Sequence, residues 1–408
     1  MERFLNPFYP PLEERPPLPA LYVPASMAVL ILGFAIGPGR IRTAATTSLL
    51  LLLAFVRPGY ADIGVTRDYG LSGLIVIFIL SFVDLSFSDP RWVGKPKVVR
   101  GSSSSSNDAG VAWRDLQTWP ARLLWGFRLA TTTRGIGWDW QVKGVPLHTE
   151  ADVPRFRFAA WRALDLARHI AFKCLAIYGI GFCLTVGPAV AQTSPWTSYL
   201  VKVAENWCGA VWGWNTIGIA ASGSAAICAL LGIFEPWTWP PMLGSLSDAW
   251  SVRQAWSAAY HQFLRRIVQQ PSLRFARLLG FKKGSIPSRY LQLYMAFYIS
   301  FLIHWWQQYV ATRGDKGEFA FFMMQPVVIT IEDFIQWIWG KMVSPEQKRN
   351  LRWFELLVGY AWTFVAFTFT LTPYVKGMTG TGIIGLGGPE EITAMALGRQ
   401  HGASYLDQ

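Results

Sequence analysis

The chain has 408 residues and a formal net charge of +12; 52% of its residues are hydrophobic and only 15% are charged. A soluble domain typically carries about 25% charged residues, and the mean hydropathy here is +0.26. The apolar residues form long blocks and do not alternate, which disfavours a transmembrane β-barrel. The positive charges lie between these blocks, where they set topology and meet anionic head groups, so the basic balance does not indicate nucleic-acid binding.

These features predict an all-α polytopic membrane protein with about eight transmembrane helices and additional amphipathic interfacial helices. A helix rises about 1.5 Å per residue, so about 20 apolar residues cross the hydrocarbon core. The predicted spans cover residues 21–36, 44–56, 71–87, 171–190, 209–234, 289–311, 319–339 and 356–375. They form one membrane-embedded domain at 21–377, between a Pro-rich segment at 1–20 and a tail at 378–408.

Two long connections, at about 89–168 and 235–289, hold a large excess of Lys and Arg over Asp and Glu. With eight spans both connections lie on one face, which the positive-inside rule makes cytosolic, and both termini lie on the opposite face. An error in the first two short spans would change the count to seven or nine. The sequence GSSSSSND at 101–108 has the composition of a disordered linker.

The predicted span at 289–311 carries an imidazole, His304, beside Trp305. A titratable side chain inside a span costs several kcal/mol unless it faces protein or water, which makes it a candidate functional residue. The alternative is a hydrogen bond that merely joins two helices. Glu332 and Asp333 raise the same two alternatives inside the span at 319–339, where one acid could pair with a cation or with His304.

A second candidate region follows the Pro-rich stretch at 236–241. We expect a helix to begin there with Ser247 as its N-cap, carrying an apolar stripe that includes Trp256. His261 lies off this stripe and faces polar surroundings or a cavity, as on an amphipathic helix at the cytosolic interface. The simpler interpretation is that His261 and the neighbouring arginines contact lipid head groups.

The third region is TTTRGIGWDWQVKGVP at 131–146, in which three glycines permit tight turns and Arg134 and Lys143 supply positive charge. It lacks the third glycine of a dinucleotide fingerprint, so it indicates phosphate contact or plain loop structure. No C-x-x-C pair, Walker A, GxSxG or HExxH motif occurs. A zinc site, a redox motif and a soluble-type hydrolase or kinase are therefore not indicated.

Three segments, in this order, resemble the fungal wax-synthase-domain acetyltransferases of terpenoid and meroterpenoid gene clusters, which are similar to membrane-bound O-acyltransferases. They are TTTRGIGWDWQVKGVP, SVRQAWSAAYHQFLRR and FLIHWW. The family pattern SLR-x-FWG-x-x-WHQ is matched at Trp256, His261 and Gln262. The Phe, Gly and second Trp of that pattern are replaced by Ala255, Ser257 and Tyr260.

The resemblance implies that His304 is catalytic and that the segment around His261 and Gln262 supports the acyl-donor site. A neutral imidazole can deprotonate an alcohol that attacks a thioester, which typically contributes about 10²–10⁴-fold. His261 is then either a second catalytic residue or a group that orients the thioester. The side chains expected at the acyl donor are Gln262, Arg253, Arg265, Trp256, Lys143 and Arg134, and those expected in the substrate cavity are Trp305 and Glu332.

The resemblance thus implies an O-acetyltransferase of the endoplasmic reticulum membrane. We expect acetyl-CoA as co-substrate, a hydrophobic terpenoid or meroterpenoid alcohol as acceptor, and no metal or permanently bound cofactor. An alternative with the same chemistry is a wax-ester or lipid acyltransferase with a long-chain donor. Alternatives of other classes are a proton-coupled transporter, in which His304 and Glu332 relay protons, and an inactive scaffold.

Overall fold

The computed structural model describes residues 1–95, 110–145 and 153–384. In these ranges the chain is helical and has isolated β-bridges but no strand. The helices are α1 Glu2–Leu5, α2 Tyr22–Ala35, α3 Arg40–Val56, α4 Val65–Ser86, α5 Trp119–Ala130, α6 Arg155–Thr185, α7 Gly187–Ala191, α8 Pro195–Leu230, α9 Val252–Gln254, α10 Arg265–Leu278, α11 Ile286–Thr312, α12 Glu318–Met342, α13 Pro345–Asn350 and α14 Arg352–Gly380. The predicted linker at 101–108 and residues 385–408 of the predicted tail lie outside the described residues.

Each of the eight predicted spans falls on one of these helices. They are α2, α3, α4, α6, α8, α11, α12 and α14, and most extend beyond the predicted bounds. Within the described part of the chain, four stretches have both the length and the apolar composition to cross a bilayer: Arg40–Gly59, Val65–Ser86, Arg155–Thr185 and Arg352–Gly380. The all-α fold is thus confirmed and these helices suggest a membrane protein, while the count of eight spans stays a prediction.

Helices α6 and α8 pack closely along their length because small residues line their contact. A Cβ atom on Gly179 of α6 would come within 2.6 Å of Cys208 Sγ on α8, and one on Gly187, the first residue of α7, would come within 2.7 Å of Val201 Cγ1 on α8. Glycines thus allow close helix contact here.

The close approach of α4 and α11 determines what surrounds His304. The side chain of Gln307 on α11 fills the space where a Cβ of Gly73 would lie, with Nε2 at 2.5 Å from that position. The same amide donates to the backbone carbonyl of Tyr69, 3.2 Å away. Because Gly73 lacks a side chain, the N-terminal half of α4 can pack against the C-terminal half of α11.

The segment before α10 differs from the continuous amphipathic helix that the sequence predicts. Ser247 as N-cap is wrong, because Ser247 lies in a 3₁₀ turn and Ser251 caps α9 by accepting from the backbone N–H of Gln254. After one turn the helix widens into a π-helix, Ala255–Ala259, and the chain then leaves helical geometry at Tyr260. Single π-turns of this kind often occur at functional sites.

The N-terminal Pro-rich segment is packed against the end of α11. Arg15 donates from Nη1 to the carbonyl of Val310 at 3.0 Å and from Nη2 to the buried Asp68 at 3.0 Å. In return, Arg313 donates to the carbonyl of Pro10 at 3.1 Å. Residues 1–20 are therefore part of the folded body.

Candidate active site

A cavity of about 830 Å³ lies between α8, the segment 246–269, α11, α12 and α14. Most of its wall is aliphatic or aromatic, and both His304 and His261 line it. Its size is within the range of small-molecule sites. The fold thus brings the two histidines of the predicted catalytic pair to one cavity, although 42 residues of sequence lie between them.

His304 is held by aromatic neighbours from three helices. Its Nδ1 lies 2.9 Å from the hydroxyl oxygen of Tyr69, which in turn lies 3.1 Å from the hydroxyl oxygen of Tyr374. Phe322 stacks on the imidazole, with ring centroids 4.7 Å apart and an interplanar angle of 14°. These contacts hold the ring and engage Nδ1.

His261 lies just beyond the π-helix, in the non-helical turn. Its ring is 4.4 Å from that of Tyr260, and its Nδ1 is buried with no hydrogen-bond partner among the described residues. Burial, and then electrostatic repulsion from His304 and Arg134, lower the pKa of His261 to about 3. His261 is therefore a neutral imidazole near pH 7 and can hydrogen-bond a neutral group in the cavity.

Trp256 lies at the centre of the aromatic wall. Its indole N–H donates to Gln325 Oε1 at 3.0 Å, and its ring makes edge-to-face or tilted contacts with four aromatic side chains. These are Tyr260, Phe297, Phe321 and Phe367. Because both the polar atom and the ring are engaged, Trp256 is a rigid part of the cavity lining.

Gln262 and Arg265 line the cavity and also hold the non-helical turn in place. The amide of Gln262 donates to the carbonyl of Ser257 at 2.8 Å. Arg265 donates from Nη1 to Gln262 Oε1 at 2.8 Å and to the carbonyl of Lys143 at 2.7 Å. The loop at 131–145 therefore docks beside the His261 segment, and Lys143 contributes its backbone there, while its side chain lies outside the cavity lining.

The charged groups of the large cavity are all cationic in the described part of the chain. Arg253, Arg265 and Arg289 line it, and no Asp or Glu does. The guanidinium of Arg253 is also paired with Asp333, with 3.0 Å between Nε and Oδ1. One of the two adjacent acids of α12 thus pairs with a cation, and the cavity remains suited to an anionic ligand.

Glu332 lies outside the cavity lining and anchors α9. It is buried, and its Oε2 accepts from the backbone N–H of Val252 at 2.7 Å and from the indole N–H of Trp362 at 3.2 Å. Trp305 also lies outside the lining: it is buried and stacks on Tyr309 at 5.5 Å. Trp305 faces away because it is adjacent to His304 on α11, and successive positions on a helix face different directions.

Arg134 lines a separate, smaller cavity of about 340 Å³. Its guanidinium is buried and donates to the carbonyls of Pro240 and Pro241, each at 2.7 Å. Nearby, Gly137 adopts a φ of +78° against the rings of Trp92 and Trp237, so the predicted tight turn is confirmed. Arg134 thus holds the loop to the proline stretch and lies outside the lining of the large cavity.

Sequence reasoning missed Tyr69 and Tyr374, which lie beside His304, and Arg289, which lines the same cavity. Tyr69 lies two residues before the predicted span at 71–87, and Tyr374 is the penultimate residue of the predicted span at 356–375. Arg289 was the first residue of the span that contains His304. The available signal was a hydrogen-bonding or charged side chain at the end of an apolar stretch, which also marks ordinary interfacial residues.

Comparison with known proteins places this cavity in the context of acyl transfer. Residues 239–324, which include both histidines, match the model of the membrane bound O-acyl transferase family. No solved structure matches. The match covers the π-helix, α10, α11 and the start of α12, which together provide much of the cavity wall.

Similar curated proteins are fungal transferases. The acetyltransferase sirH of Leptosphaeria maculans is 27% identical over 388 residues, covering 90% of this chain and 93% of that protein. The acetyltransferase ple2 of Rhodocybe pseudopiperita is 25% identical and covers 75% of this chain and 76% of its own. The O-mevalon transferase macI of Penicillium terrestre is 29% identical over 60% of each chain.

The predicted resemblance to fungal acetyltransferases is confirmed by these relatives. The chain is an acyltransferase, and its family match and apolar helices support a membrane-bound O-acyltransferase. The protein is therefore an enzyme rather than a transporter or a scaffold, and the chemistry of the cavity is that of an enzyme.

Proposed function

We propose that this enzyme transfers an acetyl group from acetyl-CoA to a hydroxyl group of a hydrophobic terpenoid or meroterpenoid. The observation that carries the proposal is the position of His304, which lines a largely apolar cavity together with His261. Relatives named acetyltransferases support the acetyl donor. The endoplasmic reticulum and a multi-pass topology with eight spans are part of the same proposal.

In this reaction Nε2 of His304 takes the proton of the acceptor hydroxyl as that oxygen bonds to the thioester carbonyl carbon. The C–S bond then breaks, the thiolate leaves and takes up a proton, and the products are the acetyl ester and free CoA. The thioester is itself activated, so the residues need to supply only a base, an orientation and a dry cavity.

His261 faces the same cavity as a neutral imidazole, which supports a role in holding the thioester carbonyl. The cationic lining formed by Arg253, Arg265 and Arg289 suits the phosphate groups of CoA. The aromatic wall suits an apolar ring system as acceptor. These features favour two substrates: a donor with a small acyl group on a large anionic carrier, and a hydrophobic alcohol.

A second candidate has the same chemistry with a larger acyl group. Two observations favour it: the cavity of about 830 Å³ exceeds what an acetyl group alone fills, and one relative is named an O-mevalon transferase. In the first candidate the hydrophobic alcohol packs against the apolar wall, and in the second the larger acyl group does.

The test uses microsomes that contain the full chain, with acetyl-CoA or a long-chain acyl-CoA and a pool of fungal terpenoid alcohols. Acceptor-dependent release of CoA thiol from acetyl-CoA, with a mass gain of one acetyl group on a product, is the expected result. Thiol release only from the long-chain donor would favour the second candidate.

The base is tested with His304→Ala and His304→Gln. The turnover rate of both variants should fall by about 10²–10⁴-fold, which is the contribution of general-base catalysis, while membrane insertion stays intact. The matched control is His169→Gln, because His169 hydrogen-bonds Asn215 on the far side of α8 and lies outside the large cavity. Wild-type turnover in both His304 variants would reject His304 as the base.

A further inference from the structure

We infer that Tyr69 is a positioning residue for acyl transfer, whose hydroxyl oxygen accepts the Nδ1–H of His304 and so leaves Nε2 as the proton acceptor. This inference rests on the proposed role of His304. Tyr69 is buried, on a helix remote in sequence from α11, and its oxygen is 2.9 Å from Nδ1. Nothing in the sequence motifs points to this tyrosine.

The argument starts from the tautomers of a neutral imidazole. One ring nitrogen carries the proton and the other carries the lone pair, and the hydrogen bond at the first decides which is which. If Tyr69 donated to Nδ1, then Nε2 would carry a hydrogen and could not accept the proton of an alcohol. A base at Nε2 therefore requires Tyr69 to be the acceptor at Nδ1.

Tyr374 explains why the hydroxyl group of Tyr69 accepts from His304 and does not donate to it. A phenol has one hydrogen to donate, and the two phenolic oxygens are 3.1 Å apart. When Tyr69 donates to Tyr374, its own lone pairs face His304. Tyr374 lines the cavity, so its hydrogen remains available to a group inside.

The same contact supports the imidazolium that forms when His304 takes up a proton. A cation in an apolar cavity is costly without a nearby acceptor, and no carboxylate lines this cavity within the described residues. The phenolic oxygen of Tyr69 then accepts a charge-assisted hydrogen bond from Nδ1–H, which is stronger than a neutral one. Tyr69 thus performs the orienting role that a carboxylate performs in other histidine-based sites.

Two backbone features hold Tyr69 at this distance. The glycine at position 73 allows α4 to approach α11, and Gln307 donates to the carbonyl of Tyr69 itself at 3.2 Å. The link to α11 is therefore made three residues from His304 on the same helix. The phenol is consequently fixed from its backbone to its hydroxyl group.

The test compares Tyr69→Phe with Tyr309→Phe in the full-length protein. Tyr309 is the matched control because it is fully buried on α11, and its hydroxyl has no hydrogen-bond partner in the described part of the chain. Tyr69→Phe should lower kcat by about 10–100-fold, a part of the general-base contribution, and leave the KM values for donor and acceptor unchanged. Tyr309→Phe should leave kcat unchanged.

A double variant separates positioning from a general packing effect. In the His304→Ala background, Tyr69→Phe should cause no further loss of rate, because Tyr69 acts through His304. A further loss, or a Tyr69→Phe variant with wild-type kcat, overturns the inference. Wild-type turnover in His304→Ala would instead reject the proposed base, so the two failures are distinguishable.

A second substitution keeps the inference testable if Tyr69→Phe does not accumulate in membranes. Tyr374→Phe removes the acceptor of the Tyr69 hydrogen, and it should lower kcat by a smaller factor than Tyr69→Phe. Wild-type kcat in Tyr374→Phe, with Tyr69→Phe unable to fold, would overturn the hydrogen-bond network as the cause.

Discussion

The two adjacent acids of α12 provide a sharp test of how the His261 segment is anchored. Glu332 is buried and caps α9 from another helix, whereas Asp333 forms an ion pair with Arg253 at the edge of the cavity. The side chains in that pair are 21% and 41% exposed. Glu332→Ala and Asp333→Ala should therefore differ strongly, although the two positions are neighbours.

The magnitudes follow from what each substitution leaves behind. Glu332→Ala strands the buried N–H of Val252 and the indole N–H of Trp362, and each unsatisfied donor costs about 1–3 kcal/mol, so about 2–6 kcal/mol is expected. Asp333→Ala breaks a partly exposed pair, which is worth about 0–1 kcal/mol. Glu332→Gln keeps one acceptor oxygen for the two donors and should resemble the wild type.

The assay is the midpoint of thermal unfolding of the detergent-solubilised protein, measured beside the KM for acetyl-CoA. Glu332→Ala should lower the midpoint and raise the KM, because α9 leads directly into the π-helix and His261. Equal midpoints for Glu332→Ala and Asp333→Ala would refute the reasoning, since they would mean that the buried carboxylate does not hold α9.

Three further predictions concern other parts of the site. The pKa of His261 in the folded protein, about 3, lies below its ordinary value of 6.5. The unfolded chain therefore binds a proton at His261 more readily, and the protein loses stability as the pH falls from 6.5 towards 3. In that window the unfolding temperature of His261→Gln should fall less than that of the wild type. Gly137→Ala should destabilise the protein more than Gly94→Ala, because both have a φ of +78° but only Gly137 has aromatic rings within 3 Å of the added Cβ, and unfolding temperatures of the two variants check this. Arg265→Gln should raise the KM for acetyl-CoA and weaken its dependence on ionic strength, because it removes a cavity cation and the link to the carbonyl of Lys143; an unchanged KM at low salt would contradict it.

The helices and His304 could be predicted from sequence because each depends on local properties. Long apolar blocks must be helical in a bilayer, since each backbone group then finds its partner within the segment. His304 was identifiable because a titratable side chain in such a block is unusual. Its companion His261 was identifiable only through a resemblance, because alone it also fits an interfacial helix.

What the sequence could not predict depends on contacts between distant segments. The π-helix at 255–259 packs against Gly244, outside its own helix, where a Cβ would come within 2.1 Å of the carbonyl oxygen of Ala258. Ser251 replaces Ser247 as the cap because Glu332, about 80 residues away, fixes the start of α9. The contact between Tyr69 and His304 spans 235 residues and has no local signature.

The packing of the N-terminal segment on the end of α11 has a consequence for biogenesis. The Arg15–Val310 hydrogen bond joins residues separated by 295 positions, and the backbone N–H of Asp315 donates to Glu2 across 313 positions. During synthesis, the first residues therefore wait without these partners until α11 and the turn after it have left the ribosome and entered the membrane. These contacts of a segment made before α11 form late, so its protection from protease would appear only after α11 is in place.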